Sequence, residues 1–354
     1  MAYTTVDDGS AHFTTTLYTG NASTNAITNS ANAGDFQPDW VWLKSRNSGT
    51  HHRLYDSSRG ALKNILSSAA NTEATTANSL TSFDSNGFTL GSDDNSNQNT
   101  KTFVAWQWKA NGGTTSSNGD GNITSTVQAN TTAGFSIVLF TGNATAGQTV
   151  GHGLGVKPEI IFAKNRSNGN NWNVYAEPVD NTGNNYLSLN GTVGKESDFN
   201  MWNDTAPTSS VITLGDRNET NGSSHNMVFY CFHSVKGYSK IGSYTGNGNA
   251  DGTFVYTGFK PAWIMLKRTD SSNNWNIFDS KRDVDNQVGN VLYANLTSAE
   301  EADASHSSAN DFLSNGFKLK ETGNAVNGSG ATYIYMAFAE HPFVSSEGVP
   351  VTAR

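Results

Sequence analysis

The segment "KPEIIFAKNRSNGNNWNVYA" at residues 157–176 carries the pattern that decides the fold. An apolar run follows Pro158 and ends at Lys164, and a second apolar run opens at Trp172 after a polar turn. Successive side chains of a strand point to opposite faces, and both runs are short enough to be strands. A proline suits the first residue of a strand, where its missing N–H costs no ladder bond. The segment therefore predicts two β-strands.

The same pattern occurs twice more, as "PDWVWLK" at 38–44 and "PAWIMLK" at 261–267. The proline and the lysine are six residues apart in all three copies, and eleven further residues lead to Tyr55, Tyr175 or Phe278. Each copy begins with a Thr-Gly-Asn turn and ends in an apolar run, "FVAWQW", "MVFYCF" or "YIYMAF". Fixed spacing inside the motif and variable spacing outside it are typical of strands joined by tolerant surface loops. The sequence predicts three repeats.

Composition supports a β fold. Apolar residues make up 35% of the 354 residues and charged residues 15%, while the 35 glycines indicate frequent turns. The 18 Phe, 12 Tyr and 8 Trp supply more buriable surface than a disordered chain has. We expect an all-β protein of three tandem antiparallel β-sandwich repeat domains, jelly-roll-like, with few short helices. The two helical segments expected are 57–69 and 295–306.

The repeats and their polar flanks predict a domain organisation. Its parts are an N-terminal arm at 1–16, repeat 1 at 17–112, a linker at 113–132, repeat 2 at 133–238, repeat 3 at 239–342 and a C-terminal tail at 343–354. The short connection between repeats 2 and 3 leaves little slack, so we expect those two to pack as a rigid pair. Tyr3 and Phe13 in the arm are candidate anchors for docking to a partner.

Charge and cysteine content exclude several classes of protein. The net charge of −8 disfavours nucleic acid as a partner, because binding it requires clustered lysine and arginine. The single cysteine, Cys231, cannot form an internal disulfide and lies in an apolar run, where a small buried side chain is expected. The N-terminus lacks a basic and apolar leader, and no apolar run approaches the ~18 residues of a membrane span. We expect neither Sec export nor membrane insertion.

Cations and tryptophans that recur between the copies are candidate contact residues. We expect the cations to be solvated strand ends or salt bridges, and the alternative is a contact to an anionic glycan or a neighbouring subunit. Sandwich core is the expected place of the tryptophans, and the alternative is stacking on a sugar ring. The residues are Lys44 with Arg46, Lys164 with Arg166, Lys267 with Arg268, and the tryptophans Trp172 and Trp275.

Two other features could belong to a catalytic or metal site. His152 lies in the glycine-rich "GHGLG", but the other copies have no histidine there and no nucleophile or carboxylate partner is indicated, so we expect a structural loop residue. Oxygen ligands of the kind calcium uses cluster at Asp93 with Asp94 and at Asp120. Neither cluster follows a twelve-residue calcium loop, so turns rich in Asn and Asp are expected and calcium is the alternative. We expect no catalytic residue and no cofactor.

The motifs also carry a family resemblance. "LYTGN" from Leu17, "PDWVWLKSR" from Pro38, "HRLYDSSRG" from His52 and "HGLGVKPEIIFAKNR" from His152 resemble repeat domains in virion structural proteins of tailed bacteriophages, especially those of marine bacteria and cyanobacteria. The ending "MAFAEHPFVSSEGVPVTAR" is similar to C-terminal tails in that group. The resemblance covers almost the whole chain. It implies a particle component that multimerises and presents β domains outward, and it implies no catalytic residue.

The resemblance implies a function and partners. We expect a non-enzymatic virion protein, assembled in the bacterial cytoplasm, that acts as a tail fibre or tail-associated protein in attachment to the host surface. One alternative is a capsid decoration or tail accessory protein, and another is a carbohydrate-binding module of a non-phage surface protein. Expected partners are other virion proteins, further copies of the chain, with a trimer as one form, and a host-surface glycan. The lack of disulfides suits assembly in a reducing cytoplasm.

Overall fold

The computed structural model describes residues 4–29, 36–302 and 309–342, together with 344, 345, 347 and 349. The protein is all-β, as predicted, and the pairs of named strands are antiparallel. Each repeat is a sandwich in which a small sheet covers one face of a large sheet. No helix in the described ranges is long and apolar enough to cross a lipid bilayer.

Repeat 1 contains nine strands and one short helix. The strands are β1 (Phe13–Thr19), β2 (Asn25–Thr28), β3 (Trp40–Ser45), β4 (Arg53–Asp56), β5 (Lys63–Leu66), β6 (Ala74–Thr75), β7 (Leu80–Asp84), β8 (Gly87–Leu90) and β9 (Thr102–Trp108), and the helix is α1 (Asp94–Asn97). The large sheet has the order β1-β9-β3-β4-β5-β6, and the small sheet has the order β2-β8-β7. A single 3-10 turn at Gly9–Ala11 precedes β1.

Repeat 2 has the same plan with two additional edge strands. The elements are β10 (Ser116–Asn118), β11 (Ser125–Asn130), β12 (Phe135–Thr141), β13 (Gln148–Gly151), β14 (Ile160–Asn165), β15 (Asn173–Ala176), β16 (Asn185–Ser188), β17 (Glu196–Ser197), α2 (Phe199–Trp202), β18 (Val211–Leu214), α3 (Asn218–Asn221) and β19 (Asn226–Phe232). The large sheet has the order β10-β11-β12-β19-β14-β15-β16-β17, and β13 pairs with β18 in the small sheet.

Repeat 3 completes the set. Its strands are β20 (Ser239–Thr245), β21 (Phe254–Tyr256), β22 (Phe259–Arg268), β23 (Trp275–Asp279), β24 (Leu292–Tyr293), β25 (Asn310–Leu313), β26 (Gly316–Leu319) and β27 (Thr332–Pro342). The large sheet has the order β20-β27-β22-β23-β24, and the small sheet has the order β21-β26-β25. In every repeat the last long strand lies between the first strand and the strand that carries the Pro-to-Lys motif.

Strand register shows that the three copies match residue by residue. In each repeat, the residue two positions after the motif proline pairs with an aromatic residue of the last strand: Trp40 with Trp108, Ile160 with Phe232, and Trp263 with Phe338. The motif lysines also occupy matching positions, since Lys44 pairs with Val104 and Lys164 with Val228. Corresponding sequence positions therefore occupy corresponding places in the fold.

Each large sheet is buried on both faces, because its strands carry apolar side chains at successive positions. In β3, Val41 and Leu43 pack with the small sheet of repeat 1, as does Tyr55 of β4. Trp40 and Trp42 point to the opposite face. The alternation predicted for this strand is confirmed.

The second faces of the three large sheets form one central core. Trp40 of repeat 1 stacks on Tyr230 of repeat 2 with ring centroids 4.5 Å apart. Phe338 of repeat 3 meets both Trp108 of repeat 1, at 5.7 Å, and Phe232 of repeat 2, at 5.9 Å. Repeat 1 therefore packs against both repeat 2 and repeat 3. Burial of apolar surface, at about 25 cal/mol per Å², is what joins the repeats.

Residues 113–132 differ from the linker that was predicted. They contain β10 and β11, and β11 pairs along β12 at the edge of the large sheet of repeat 2. Val127 packs into the sandwich core of that repeat, and the buried Gln128 donates to Ser58 of repeat 1 at 2.8 Å. The segment is polar because it forms a sheet edge, where outward side chains meet water.

The N-terminal residues are held in the core rather than forming a free arm. Phe13 belongs to β1, is fully buried and stacks on Phe338 with centroids 5.1 Å apart. Val6 is also part of the central core. Phe13 therefore lacks the exposure that a docking anchor needs, and Tyr3 lies outside the described residues. The C-terminal tail at 343–354 lies mostly outside them as well.

The prediction of helices at 57–69 and 295–306 was wrong wherever the structure describes those residues. The first segment contains β5, whose Ile65 is buried in the central core, and Gly60 has a φ of +94° that ends any helix there. The second has no helix between residues 295 and 302, and 303–306 lie outside the described part. Packing into the core outweighs the helix propensity of alanine and leucine in these short segments.

Candidate functional site at the interfaces between the repeats

Three lysines end the motif strands on the side of the central core. Each is at most 1% exposed, and its ammonium group donates to main-chain carbonyl oxygens. Lys267 in repeat 3 donates to Thr192 in repeat 2 at 2.9 Å and to Asn273 at 3.0 Å. Lys164 in repeat 2 donates to Ala70 in repeat 1 at 3.0 Å. Lys164 and Lys267 therefore each join a strand of one repeat to a loop of the neighbouring repeat.

The lysine of repeat 1 is held within its own repeat. Lys44 donates to the carbonyl oxygens of Ser45, at 2.7 Å, and Ser48, at 3.0 Å. Burial lowers the pKa of all three lysines to about 8. No ion pair within 4.0 Å involves any of the three in the described part of the chain, so they are neither solvated strand ends nor salt bridges there.

The tryptophans of the second motif strand also cross between repeats. The Trp172 indole nitrogen donates to the Leu66 carbonyl in repeat 1 at 2.7 Å, and Trp275 donates to Ser188 in repeat 2 at 2.9 Å. The two side chains are 0% and 1% exposed, so the structure presents neither ring face to solvent for sugar stacking. His52 occupies the corresponding place in repeat 1 and accepts from the Trp42 indole nitrogen at 2.8 Å.

A buried charge cluster joins repeats 1 and 3. Asp279 and Arg282 pair at 2.6 Å with both side chains fully buried. Arg282 also reaches Glu300 at 3.0 Å, and Glu300 accepts two bonds from Arg46 of repeat 1 at 2.8 and 2.9 Å. The Trp106 indole nitrogen of repeat 1 donates to Asp279 at 3.0 Å. The cluster alternates in sign, Asp–Arg–Glu–Arg, and its last arginine comes from the neighbouring repeat.

An equivalent cluster joins repeats 1 and 2. Asp56 and Arg59 form a fully buried pair, and Arg59 reaches Glu73 at 3.1 Å. Glu73 accepts from Arg166 of repeat 2 at 2.8 Å, and Tyr230 of repeat 2 donates its hydroxyl to Asp56 at 2.6 Å. Burial acts to raise the pKa of Glu73, but the hydrogen bonds and charges of the two arginines outweigh it and lower that pKa.

These clusters account for two of the candidate arginines. Arg46 and Arg166 form salt bridges between repeats, and both are two residues after the motif lysine. Arg268 follows its lysine directly and instead pairs with Asp270 at the surface, at 2.8 Å. Sequence reasoning missed the acidic partners and the second arginines. The signal available was Asp-Ser-x-Arg, present as "DSSR" at 56–59 and as "DSKR" at 279–282.

His152 is a buried loop residue. Its ring nitrogens lie 3.3 Å from the Thr208 carbonyl oxygen and 3.3 Å from the Leu154 backbone nitrogen. Burial lowers the pKa of His152, so the ring is neutral at pH 7. Both nitrogens are engaged by the main chain, which fits a structural role for this histidine.

The candidate calcium residues lie in surface turns. Asp93 precedes α1 and accepts from the Ser96 hydroxyl at 2.9 Å, and Asp94 lies in the first turn of that helix. Asp120 accepts from the Asn118 side-chain amide at 3.0 Å. Across the described residues, no group of three or more His, Cys, Asp or Glu side chains is placed to hold a metal ion.

The described contacts therefore form a set of cross-links between repeats, in which lysine, tryptophan and arginine side chains satisfy partners on the neighbouring copy. No curated protein and no solved structure matches the chain in comparisons with known proteins. One family model does match, and it covers residues 8–342, which include all three repeats. The chain belongs to the family described as a domain of unknown function (DUF7483).

Proposed function

We propose that this protein is a non-enzymatic structural component of a bacteriophage virion, with a leading role in a tail fibre or tail-associated assembly that attaches to the host surface. The proposal starts from the resemblance of the repeat motifs to virion structural proteins. One structural observation carries it further: the motif residues are the ones that bind the repeats together. Arg46 of "PDWVWLKSR" in repeat 1 pairs with Glu300 of repeat 3, and Arg166 of "HGLGVKPEIIFAKNR" in repeat 2 pairs with Glu73 of repeat 1.

An architectural role for the motifs suits a particle component. A protein assembled in a reducing cytoplasm and then exposed outside the cell must obtain its stability without disulfides. Here the stabilising contacts are an aromatic core shared by all three repeats and ion pairs that tie repeat 1 to repeats 2 and 3. Such a unit resists local opening, because each large sheet is covered on both faces.

The arrangement of the repeats also suits partners that multimerise. Repeat 1 contacts repeats 2 and 3, and repeat 3 contacts repeat 2, so the three copies close into a ring. One chain thereby has the form that three identical chains would give, which fits attachment to other virion proteins and to further copies of itself. The outer surfaces of the small sheets then face outward from the ring.

Imaging of the phage particle by electron cryo-microscopy, at a resolution that traces side chains, tests the proposal. Density for this chain at the tail is the expected result. Density covering the head in many copies would assign capsid decoration in place of tail attachment. Particles that carry no copy, with the protein present in the infected cell, would contradict a virion role.

A separate assay addresses the non-enzymatic part. The purified protein is incubated with surface polysaccharide extracted from the host, and the reducing ends released are measured against a protein-free control. We expect no release above the control. Hydrolysis that depends on the folded protein would contradict this part while leaving a place in the virion open to the imaging test.

A further inference from the structure

The interface between repeats 3 and 2 lacks the charge cluster that the other two interfaces have. Leu66, Ser188 and Tyr293 occupy matching ladder positions in the three repeats. Seven residues further along, repeats 1 and 3 have Glu73 and Glu300, and repeat 2 has Lys195. The main chain is in the same place in all three copies. The backbone nitrogen of Lys195 donates to the Thr269 carbonyl at 2.7 Å, as Glu73 donates to Arg166 at 3.0 Å.

Both arginines of the cluster are also replaced there. Thr269 stands two residues after the motif lysine, where repeats 1 and 2 have Arg46 and Arg166. Val179 stands where the other repeats have Arg59 and Arg282. The Arg–Glu–Arg arrangement has become Thr–Lys–Val, which removes the carboxylate from the interface and leaves a positive charge.

A fourth replacement removes bulk from the same place. Ser243 on β20 pairs with Ile334, in the register that Leu17 and Leu139 have with their partners Val104 and Val228. Leu139 is partly buried against the central core and Leu17 is 39% exposed, so the serine leaves open a part of the core rim that a leucine covers in the other repeats. All four changes point into one region of the repeat 3–repeat 2 interface.

That region is a solvent-open cavity of about 340 Å³, and most of the polar residues that line it are exposed. Val179 and Lys195 line it from repeat 2, and residues on β20, on β27 and just after β22 line it from repeat 3. The serine and threonine residues of the lining are Ser243, Thr245, Thr269 and Thr332, and the hydroxyl groups of Thr269 and Thr332 form a hydrogen bond of 2.7 Å with each other. Lys195 is exposed, and no acidic side chain in the described residues lies within ion-pair distance of its ammonium group. The volume is at the small end of the range of about 300–1,000 Å³ for ligand sites.

We propose that this cavity binds a hydroxylated carboxylate of the size of an acidic monosaccharide. The ligand carboxylate pairs with the ammonium group of Lys195 and supplies the negative charge that Glu73 and Glu300 supply at the other two interfaces. The ligand hydroxyl groups bond with the serine and threonine side chains of the lining. A charge-assisted bond to the carboxylate fixes the orientation of the ligand, and the hydroxyl bonds select it over a simple acid. This inference goes beyond the proposed function and does not depend on a place in a virion.

Calorimetric titration of the full-length protein at pH 7 with D-glucuronate tests the site, with D-glucose and acetate as comparison ligands. We expect saturable binding of one glucuronate per chain, and binding of glucose and of acetate each weaker by at least about tenfold, because each lacks one half of the recognised groups. Absence of saturable glucuronate binding would overturn the proposal. Equal affinity for acetate would overturn the hydroxyl recognition.

Two variants place the residues of the other interfaces into the cavity. Lys195→Glu reverses the charge, and Ser243→Leu fills the space without changing charge. Each should weaken glucuronate binding by at least about tenfold, while Lys63→Glu on β5 of repeat 1 keeps wild-type affinity. Near-ultraviolet circular dichroism of each variant confirms that the fold is intact. Wild-type affinity in both cavity variants would show that any binding lies elsewhere and would overturn the assignment.

Discussion

The indole nitrogen of Trp172 in repeat 2 donates a 2.7 Å hydrogen bond to the carbonyl oxygen of Leu66 in repeat 1. Trp275 in repeat 3 makes the corresponding bond to Ser188 in repeat 2 at 2.9 Å. Leu66 and Ser188 occupy matching ladder positions, opposite Arg53 and Asn173 respectively. The contact therefore recurs at corresponding positions, and the indole nitrogens of repeats 2 and 3 each depend on a neighbouring repeat for their hydrogen-bond acceptor.

The first prediction concerns this bond. Trp172→Phe keeps an aromatic ring but leaves the Leu66 carbonyl without its buried donor, at a cost of about 1–3 kcal/mol in the free energy of unfolding in addition to the change in ring size. Trp202→Phe is the matched control, because the Trp202 indole nitrogen is buried with no hydrogen-bond partner in the described structure. Urea unfolding followed by circular dichroism measures both. Equal losses in the two variants would contradict a role for the inter-repeat bond.

The second prediction concerns the buried charge clusters. Asp279→Ala leaves the fully buried Arg282 without its closest carboxylate, and the expected loss in the free energy of unfolding is about 3–5 kcal/mol. The control is Asp270→Ala, which removes the partner of Arg268 at the surface and should cost about 0–1 kcal/mol. The same unfolding measurement compares them. A similar loss at both sites would mean that burial adds nothing to the Asp279 pair.

Much of the fold could be predicted from the sequence, because repetition supplied three independent views of one pattern. The motif strands followed from period-two alternation and are confirmed, with Trp40 and Val41 on opposite faces of β3. The sequence pattern did not show what covers the second face of each large sheet. Alternation shows that a face is apolar, whereas the partner that covers it is set by contacts between residues more than 100 positions apart, such as Trp40 with Tyr230.

The charged residues of the interfaces were harder to predict. Charged side chains are mostly exposed, so Arg59 and Asp56 gave no indication of complete burial. Tyr230, which comes from another repeat, completes the hydrogen bonding of Asp56. Comparison of the copies could have revealed these charged residues through the shared Asp-Ser-x-Arg pattern. Strand β11 has no counterpart in the other repeats, and its polar outward positions obscure the apolar ones at Val127 and Ala129.

The third prediction concerns pH. Burial lowers the pKa of Lys164 from 10.5 to about 8, so between these values the unfolded chain holds more protons than the folded chain. The free energy of unfolding therefore gains a contribution that rises with pH from 8 towards 10. Lys164→Met removes that contribution. The slope of the free energy of unfolding against pH, between pH 8 and 10, should therefore fall by up to ~1.4 kcal/mol per pH unit. Urea unfolding at a series of pH values measures the slope.

A lysine outside the central core provides the control for that series. Lys63→Met should leave the slope between pH 8 and 10 as it is in the wild-type protein. The account of the buried ammonium groups would be contradicted if Lys164→Met also kept the wild-type slope.

The fourth prediction concerns the single cysteine. Cys231 lies on β19, is fully buried, and burial raises the pKa of its thiol. Because the thiolate is the reactive form, the folded protein should react with a chromogenic disulfide reagent only as fast as the core opens. Reaction should become fast across the urea unfolding transition. Fast, complete labelling of the native protein would show that the sandwich of repeat 2 opens independently of the rest.

The central claim is that three repeats share one core and fold as a single unit. Differential scanning calorimetry tests it most directly, by comparing the calorimetric and van't Hoff enthalpies of the full-length protein. We predict one transition with a ratio of about one, because exposing the central core of any repeat uncovers the other two. Two or three separate transitions, or a calorimetric enthalpy about two to three times the van't Hoff value, would contradict it.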